Sequence, residues 1–287
     1  MRFVRANGLD FAYLEQGSGP LVLMLHGFPD TAETWSHQMP ALADAGFRVV
    51  APYLRGYHPT AIPADGYYDK ATLANDVVEL IRVLGGGEPA FLVGQDWGAI
   101  VAYAVLGAYP EWVRRAVVMA VPHPQEVARS LLVPRHVHRS FHWWFFQMPA
   151  LPEQALSSDN GAFIDYLWTY WTRPGHEDAA HIASVKAMLA RPGVLGATLG
   201  YYRAMFDVGK ADPKLDAVRS RMQRPIGVPT LALCGAEDLR AELMHDQGRH
   251  FTGEYRYAEV AGAGHFLQRE QPDEVTRQVL AWLRGPA

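Results

Sequence analysis

The chain has 287 residues, of which 49% are apolar, and its 26 Lys and Arg residues against 30 Asp and Glu residues give a net charge of −4. This length and composition predict one enzyme-sized domain that buries a large core and has room for an inserted subdomain. Because acidic and basic residues are interspersed, the sequence excludes a basic stripe for nucleic acid and an acidic tail, and it favours a small neutral ligand.

Cysteine usage and the N-terminus indicate the compartment. The single cysteine, Cys234, lies in the apolar run 230–234, which predicts a buried small side chain and excludes an internal disulfide. The N-terminal segment lacks the apolar core of a signal peptide, and no stretch has the length needed to span a bilayer. We therefore expect a cytoplasmic protein without a membrane partner.

The first predicted element is an antiparallel hairpin over residues 2–14, with Asn7 and Gly8 in its turn. Short apolar runs typical of buried strands follow at 21–25, 48–51, 90–94, 116–120, 230–234 and 256–260. Helical patterns lie at 34–45, 70–84, 99–109, 241–251 and 273–283. The alternation predicts an α/β fold, a mostly parallel sheet with helices on both faces.

The alternation stops between Pro122 and Pro229. This stretch is rich in Trp, Tyr and Phe, and its pattern is helical. We therefore predict an α-helical cap, residues 123–228, inserted after strand 6 and lying over the carboxyl edge of the sheet. Residues 1–122 and 229–287 would form the core.

Asp96 carries the most informative motif, a glycine two residues before it and another two residues after it, between a predicted strand and a predicted helix. Glycines are favoured there in a sharp strand-to-helix turn, because side chains at those positions would collide. Such a turn strains the backbone of its central residue, and strain of this kind clusters at functional sites. A glycine-rich turn in which the Asp only caps the following helix gives the same short pattern. Further motifs are therefore needed to decide whether Asp96 is a functional residue or a helix cap.

The loop after the first buried strand provides the second motif. Residues 25–30, Leu-His-Gly-Phe-Pro-Asp, resemble the oxyanion loop of the α/β-hydrolase superfamily. The resemblance implies that Asp96 is the nucleophile. It also implies that the backbone N–H groups of Phe28 and of Trp97, the residue after Asp96, form the oxyanion hole. A turn that merely ends a strand is the alternative.

Two later motifs complete the pattern. The segment 233–238 ends a predicted strand at Asp238, where the superfamily carries its acid, with Glu237 as the fallback. The segment 262–267 places His265 between the last strand and the last helix, where the superfamily carries its histidine. Since the order Asp96, Asp238, His265 is that of the fold, the chain is identified as a member of the α/β-hydrolase superfamily.

An aspartate in place of serine changes the implied chemistry, because a carboxylate is already ionised near neutral pH. Asp96 would attack an electrophilic sp³ carbon and form an alkyl ester. His265, oriented by Asp238, would then activate water to hydrolyse that ester. Epoxides and haloalkanes are the two substrate classes that fit an aspartate nucleophile in this superfamily.

The insertion contains candidate proton donors for an epoxide oxygen. Tyr202, in the run Gly-Tyr-Tyr-Arg at 200–203, resembles the aromatic-Tyr-Arg segment of the epoxide hydrolase family. The run 141–149 resembles that family's second donor segment, but it places His142 where the family has a tyrosine. A His/Tyr pair is similar to that of a bacterial epoxide hydrolase subgroup. Ordinary core packing is the alternative for both side chains.

The resemblance therefore implies an epoxide hydrolase, a hydrolase acting on an ether bond, that opens an apolar epoxide with water to a vicinal diol. We expect no cofactor and no metal, and a homodimer is left open. The aromatic side chains predicted to line the substrate pocket are Trp143, Trp144, Trp168, Trp171 and Phe266.

Two other functions compete with this prediction. A haloalkane dehalogenase has a halide-holding Trp after its nucleophile, as Trp97 is here, but Phe28 cannot supply the second halide donor. Fluoroacetate dehalogenases clamp a carboxylate with arginines just after the nucleophile, where this chain has Trp97 and Ile100. A non-hydrolytic binding or biosynthetic protein on the same fold would have no need for an intact triad.

Overall fold

The apolar runs of the sequence form one eight-stranded sheet in a computed structural model that describes residues 1–285. The last two residues of the predicted core, 286 and 287, lie outside the described residues. The strands are β1 (Arg2–Ala6), β2 (Leu9–Gln16), β3 (Leu21–Leu25), β4 (Arg48–Pro52), β5 (Ala90–Gln95), β6 (Val113–Met119), β7 (Thr230–Gly235) and β8 (Tyr255–Val260).

The strands lie in the order β1-β2-β4-β3-β5-β6-β7-β8. Strand β2 pairs antiparallel with both β1 and β4, and every pair from β4 to β8 is parallel. All residues of β3 and β7 are buried, as expected for strands covered by helices on both faces. The predicted N-terminal hairpin and the predicted α/β class are confirmed.

Fourteen α-helices lie among the described residues. They are α1 (Gln38–Asp44), α2 (Lys70–Leu84), α3 (Trp97–Ala108), α4 (Pro124–Ser130), α5 (Pro134–Arg139), α6 (Phe141–Phe145), α7 (Leu151–Ser157), α8 (Ala162–Trp171), α9 (Ala179–Leu189), α10 (Val194–Phe206), α11 (Asp216–Arg221), α12 (Ala241–Met244), α13 (Leu267–Glu270) and α14 (Pro272–Arg284). Short 3₁₀ helices lie at Ala32–Trp35, Pro110–Trp112, Asp159–Gly161, Val208–Lys210, Pro213–Leu215 and Gln247–His250.

Two predicted helices are wrong in their extent. The pattern at 34–45 becomes a 3₁₀ turn followed by the shorter helix α1, and the pattern at 241–251 becomes α12 and a separate 3₁₀ turn. The second break has a tertiary cause. The side-chain oxygen of Gln247 accepts hydrogen bonds from the backbone N–H of His123 at 2.7 Å and from the hydroxyl of Tyr103 at 3.4 Å, and Gly248 favours the interruption.

The chain between β6 and β7 consists of helices α4 to α11 and their connections. Its last helix, α11, returns to the core layer, where Val218 packs against Ala71 of α2 and Ala108 of α3. Among residues 1–285, no helix is both long enough and apolar enough to cross a bilayer.

Candidate active site

Asp96 lies at the corner between β5 and α3, with backbone angles of φ 52° and ψ −118°. A positive φ is strained for an aspartate, so the surrounding chain must impose it. Close packing does so. A Cβ on Gly98 would lie 2.1 Å from the carbonyl oxygen of Leu25, and a Cβ on Gly94 would lie 2.3 Å from that of Gly98. The flanking glycines are therefore required by the close approach of three backbone segments.

The loop after β3 directs backbone N–H groups at this carboxylate. The N–H of Phe28 donates to Asp96 Oδ1 at 2.8 Å, and the backbone N–H of Trp97 lies near enough to the carboxylate to help lower its pKa. Gly27 permits the approach, because a Cβ on it would lie 2.4 Å from Asp96. Two N–H groups thus converge on one side of Asp96, where negative charge is stabilised.

Asp238 and His265 complete a buried chain of charged groups. His265 Nδ1 lies 2.8 Å from Asp238 Oδ2, and its Nε2 lies 3.3 Å from Asp96 Oδ2. Burial disfavours the charged histidine, but the two carboxylates outweigh burial and raise the pKa of His265 to about 9. Burial likewise opposes ionisation of Asp96, yet the hydrogen bond from His265 and the two backbone N–H groups lower the pKa of Asp96.

Tyr202 lies over this arrangement from α10. Its ring packs edge-on against Phe28 and Trp97, with centroids 5.4 and 5.2 Å away. Among the described residues the proton of its buried hydroxyl has no acceptor, because the nearby Trp97 side chain can only donate to the hydroxyl oxygen, and burial raises the pKa of Tyr202 well above its ordinary value. A protonated, unpartnered hydroxyl beside Asp96 is free to donate to a ligand.

His142 packs edge-on against Tyr202. The two ring centroids are 5.7 Å apart, and the imidazole also packs against Trp171 at 4.8 Å. Burial lowers the pKa of His142 well below its ordinary value, so the ring is neutral, and its Nδ1 has no partner within residues 1–285. The structure brings His142 to Tyr202, but His142 is not part of the wall of the cavity beside Asp96.

That cavity encloses about 60 Å³. Asp96, Trp97 and Tyr202 form one side, Trp143 lies on its wall, and most other wall residues are apolar: Ile100, Val121, Pro122, Pro124, Val127 and Met205. The structure therefore places one of the four predicted pocket tryptophans here.

The other predicted pocket residues lie elsewhere. Trp144 is 41% exposed and stacks on Phe206 at the surface. Trp168 and Phe266 stack on each other with centroids 3.7 Å apart, both fully buried. Trp171 lines a separate small cavity behind His265, together with Asp238.

Comparison with known proteins places the chain in a family. A family model for the alpha/beta hydrolase fold matches residues 20–272. The chain belongs to the alpha/beta hydrolase fold family. It is 30% identical to epoxide hydrolase A of Mycobacterium tuberculosis, an alignment that covers 99% of this chain and 97% of the relative. It is also 30% identical to the AB hydrolase superfamily protein YfhM of Bacillus subtilis, with 99% and 98% covered.

A solved structure gives the same result. The crystal structure of epoxide hydrolase A from Mycobacterium thermoresistibile matches this alpha/beta hydrolase with a TM-score of 0.82 at 29% identity, covering 99% of this chain and 98% of the other. The predicted α/β-hydrolase fold and its relation to epoxide hydrolases are confirmed.

Sequence reasoning missed a buried glutamate that holds the histidine loop of this alpha/beta hydrolase. Glu270, which is 5% exposed, accepts hydrogen bonds from the backbone N–H groups of Gly264 at 2.9 Å, Phe266 at 3.0 Å and Arg173 at 2.7 Å. The first two residues flank His265, and the third belongs to the insertion. The spacing His-x₄-Glu before a predicted helix was the available signal.

Two cations on the cavity wall were also missed. Lys70 begins α2, and Arg240 follows the acid loop two residues after Asp238. Neither lies in a motif that the sequence analysis considered. Among residues 1–285, no group of three His, Cys, Asp or Glu side chains is arranged to hold a metal ion.

Proposed function

We propose that this alpha/beta hydrolase is an epoxide hydrolase, a hydrolase of ether bonds that converts an epoxide and water to a vicinal diol. One observation carries the proposal: an ionised carboxylate, Asp96, occupies the strained corner, and an unpartnered tyrosine hydroxyl, Tyr202, lines the same cavity. The first is a nucleophile and the second a proton donor for the ring oxygen. Relatives at 30% identity that bear the name epoxide hydrolase support the proposal.

In the first proposed step, a carboxylate oxygen of Asp96 forms a bond to an epoxide carbon while the bond from that carbon to the ring oxygen breaks. The ring oxygen takes the proton of Tyr202 as its negative charge develops. His142 is the proposed second donor. His142 packs against Tyr202 but is not part of the cavity wall, so its contribution is to be measured separately.

Between the two proposed steps, the proton that His265 carries in the free protein returns to the tyrosinate of Tyr202. In the second proposed step, the neutral His265 removes a proton from water through Nε2, and the hydroxide adds to the carbonyl carbon of the Asp96 ester. The N–H groups of Phe28 and Trp97 hold the resulting oxyanion. The ester bond to the alkyl group then breaks, and the diol oxygen takes the proton back from His265. Asp96 keeps one oxygen from water as a carboxylic acid, and its proton passes to His265, which restores the charged pair. Asp238 holds the histidine throughout.

The helical insertion, residues 123–228, is proposed to act as a cap, because it supplies Tyr202 and Trp143 to the cavity. A cytoplasmic location is proposed from the buried, unpaired Cys234. A homodimer stays an open prediction, and every group proposed for the reaction comes from one chain.

The direct test is to trap the ester. With styrene oxide, His265→Gln is expected to add the substrate mass to the peptide that contains Asp96, because attack needs no base but hydrolysis does. Asp96→Ala should show no adduct. Tyr202→Phe and His142→Phe compare the two donors by the rate of adduct formation. Free turnover by His265→Gln would contradict the two-step scheme.

A second measurement tests the reaction class. One turnover of wild-type protein in oxygen-18 water should place the label in the Asp96 side chain and not in the released diol. Bromide release from a brominated alkane without diol from styrene oxide would indicate a dehalogenase instead.

A further inference from the structure

The cavity beside Asp96 carries more positive charge than its chemistry with a neutral epoxide requires. Lys70 and Arg240 both line it, among otherwise apolar and aromatic wall residues. Neither side chain forms an ion pair within residues 1–285. Asp96 and Asp238 share the single positive charge of His265, so one negative charge remains at the site against the two cations.

The carboxylate of Asp69, next to Lys70 in the sequence, already has several other partners. Asp69 accepts hydrogen bonds from the backbone N–H groups of Ala71 and Asp212 at 3.1 Å each and from the hydroxyl of Thr72 at 2.6 Å. It also pairs with Arg219 at 3.2 Å. Burial lowers the pKa of Lys70 and outweighs the opposing effect of the Asp69 charge, which is not close enough to form an ion pair with Lys70.

Arg240 is held in place by contacts that do not pair its guanidinium with a carboxylate. Its Nη2 donates to Ser140 Oγ at 3.1 Å, its guanidinium lies 4.8 Å from the ring centroid of Trp143, and its backbone N–H donates to Asp238 Oδ1 at 2.7 Å. A planar guanidinium that is fixed at one edge still presents donors to a ligand. Its orientation is therefore set before any ligand binds.

We propose that the cavity binds an epoxide that also carries a carboxylate, and that Lys70 and Arg240 hold that carboxylate away from Asp96. A poorly compensated cation in an apolar cavity is costly unless a ligand pairs with it, and two cations raise the local concentration of an anionic substrate. The proposal rests on the epoxide hydrolase function and narrows its substrate class. It replaces the apolar substrate predicted from the sequence.

The test uses two substrates that differ only in charge, 4-(oxiran-2-yl)benzoate and 4-(oxiran-2-yl)benzamide. For wild-type protein we expect kcat/KM for the acid to exceed that for the amide at least about tenfold, equivalent to about 1.4 kcal/mol. Lys70→Met and Arg240→Met should each lower this ratio at least about fivefold, because each removes one cation. The matched control is Lys210→Met, since Lys210 is exposed and has no ion pair, and it should retain the wild-type ratio.

A binding measurement keeps this inference separate from the proposed reaction. Calorimetric titration with the two product diols, the dihydroxyethyl benzoate and the corresponding benzamide, needs no turnover. Tighter binding of the acid that depends on Lys70 would support the anion subsite even if no epoxide were opened. Diol formation with a ratio near one, unchanged by Lys70→Met and Arg240→Met, would overturn the subsite and leave the epoxide hydrolase function standing.

Discussion

Glu270→Gln tests how the histidine loop is held. The carboxylate accepts three backbone N–H groups, one on Oε1 and two on Oε2, and it is buried. Glutamine has the same shape but only one acceptor oxygen. In its better orientation that oxygen keeps the N–H groups of Gly264 and Arg173, while its amide group faces the N–H of Phe266.

The expected loss of stability follows from the number of hydrogen bonds that each variant breaks. A hydrogen bond to a charged group contributes about 1.5–3 kcal/mol, and leaving a buried donor unpaired costs a similar amount. We therefore expect Glu270→Gln to lower the free energy of unfolding by about 2–3 kcal/mol. Glu270→Ala, which leaves all three donors unpaired, should cost about 4 kcal/mol or more.

Glu270→Gln should slow hydrolysis of the Asp96 ester more than its formation. Because Gly264 and Phe266 flank His265, a loosened loop misplaces the imidazole, which the proposed scheme needs only for ester hydrolysis. In single-turnover experiments we expect the decay of the Asp96 ester to slow at least about tenfold, while its formation changes much less.

Urea unfolding followed by tryptophan fluorescence measures the stability, and quenched-flow mass spectrometry measures the two steps. The control is Glu111→Gln, because Glu111 is exposed and its side chain has no hydrogen-bond partner among the described residues. That variant should stay within about 0.5 kcal/mol of wild type. If Glu270→Gln were equally silent, or slowed both steps to the same extent, the positioning argument would be refuted.

Three further predictions concern the corner, the insertion and pH. Gly98→Ala should destabilise the fold by more than about 3 kcal/mol in urea unfolding, since its Cβ would lie 2.1 Å from the Leu25 carbonyl oxygen, and a wild-type midpoint would contradict this packing. His181→Asn breaks a buried 2.6 Å contact between the insertion and Asp30 and should cost about 3–5 kcal/mol by the same assay, whereas a change below about 1 kcal/mol would show the pair to be dispensable. Because the pKa of His265 is raised to about 9, its contribution to stability, about 3 kcal/mol, is fully present below about pH 6.5 and is lost as the pH rises through about 9. Unfolding curves at about pH 6 and about pH 10 should show this loss in wild type and not in His265→Gln, and an equal loss in both would contradict the assignment.

Residues fixed by local rules could be predicted from the sequence. Asp96, Asp238 and His265 follow the strands β5, β7 and β8, and parallel strands bring their carboxyl ends to one edge. Sequence order and turn chemistry were therefore enough to place them together. The glycines beside Asp96 gave the same information, because the observed close approach permits no side chain there.

Residues placed by tertiary packing could not be predicted in this way. Trp143 and Trp144 are neighbours on helix α6, and successive residues of a helix point about 100° apart, so one lines the cavity and the other reaches the surface. The sequence does not show which of the two tryptophans lines the cavity. Lys70 begins an ordinary amphipathic helix, and only the fold shows that this helix starts beside Asp96.

The position of His265 between two carboxylates connects the two proposed steps. In the free protein both Asp96 and Asp238 are negative, and together they raise the pKa of His265 to about 9, so near neutral pH the imidazole is protonated and cannot accept a proton. It stabilises the ionised form of Asp96 instead. Once Asp96 becomes an ester, its charge is gone and one of the two causes of the raised pKa disappears. Asp238 alone opposes the burial penalty, the pKa of His265 falls, and the imidazole becomes a base when water must be activated. The nucleophile thus keeps the histidine inactive as a base until the nucleophile has reacted.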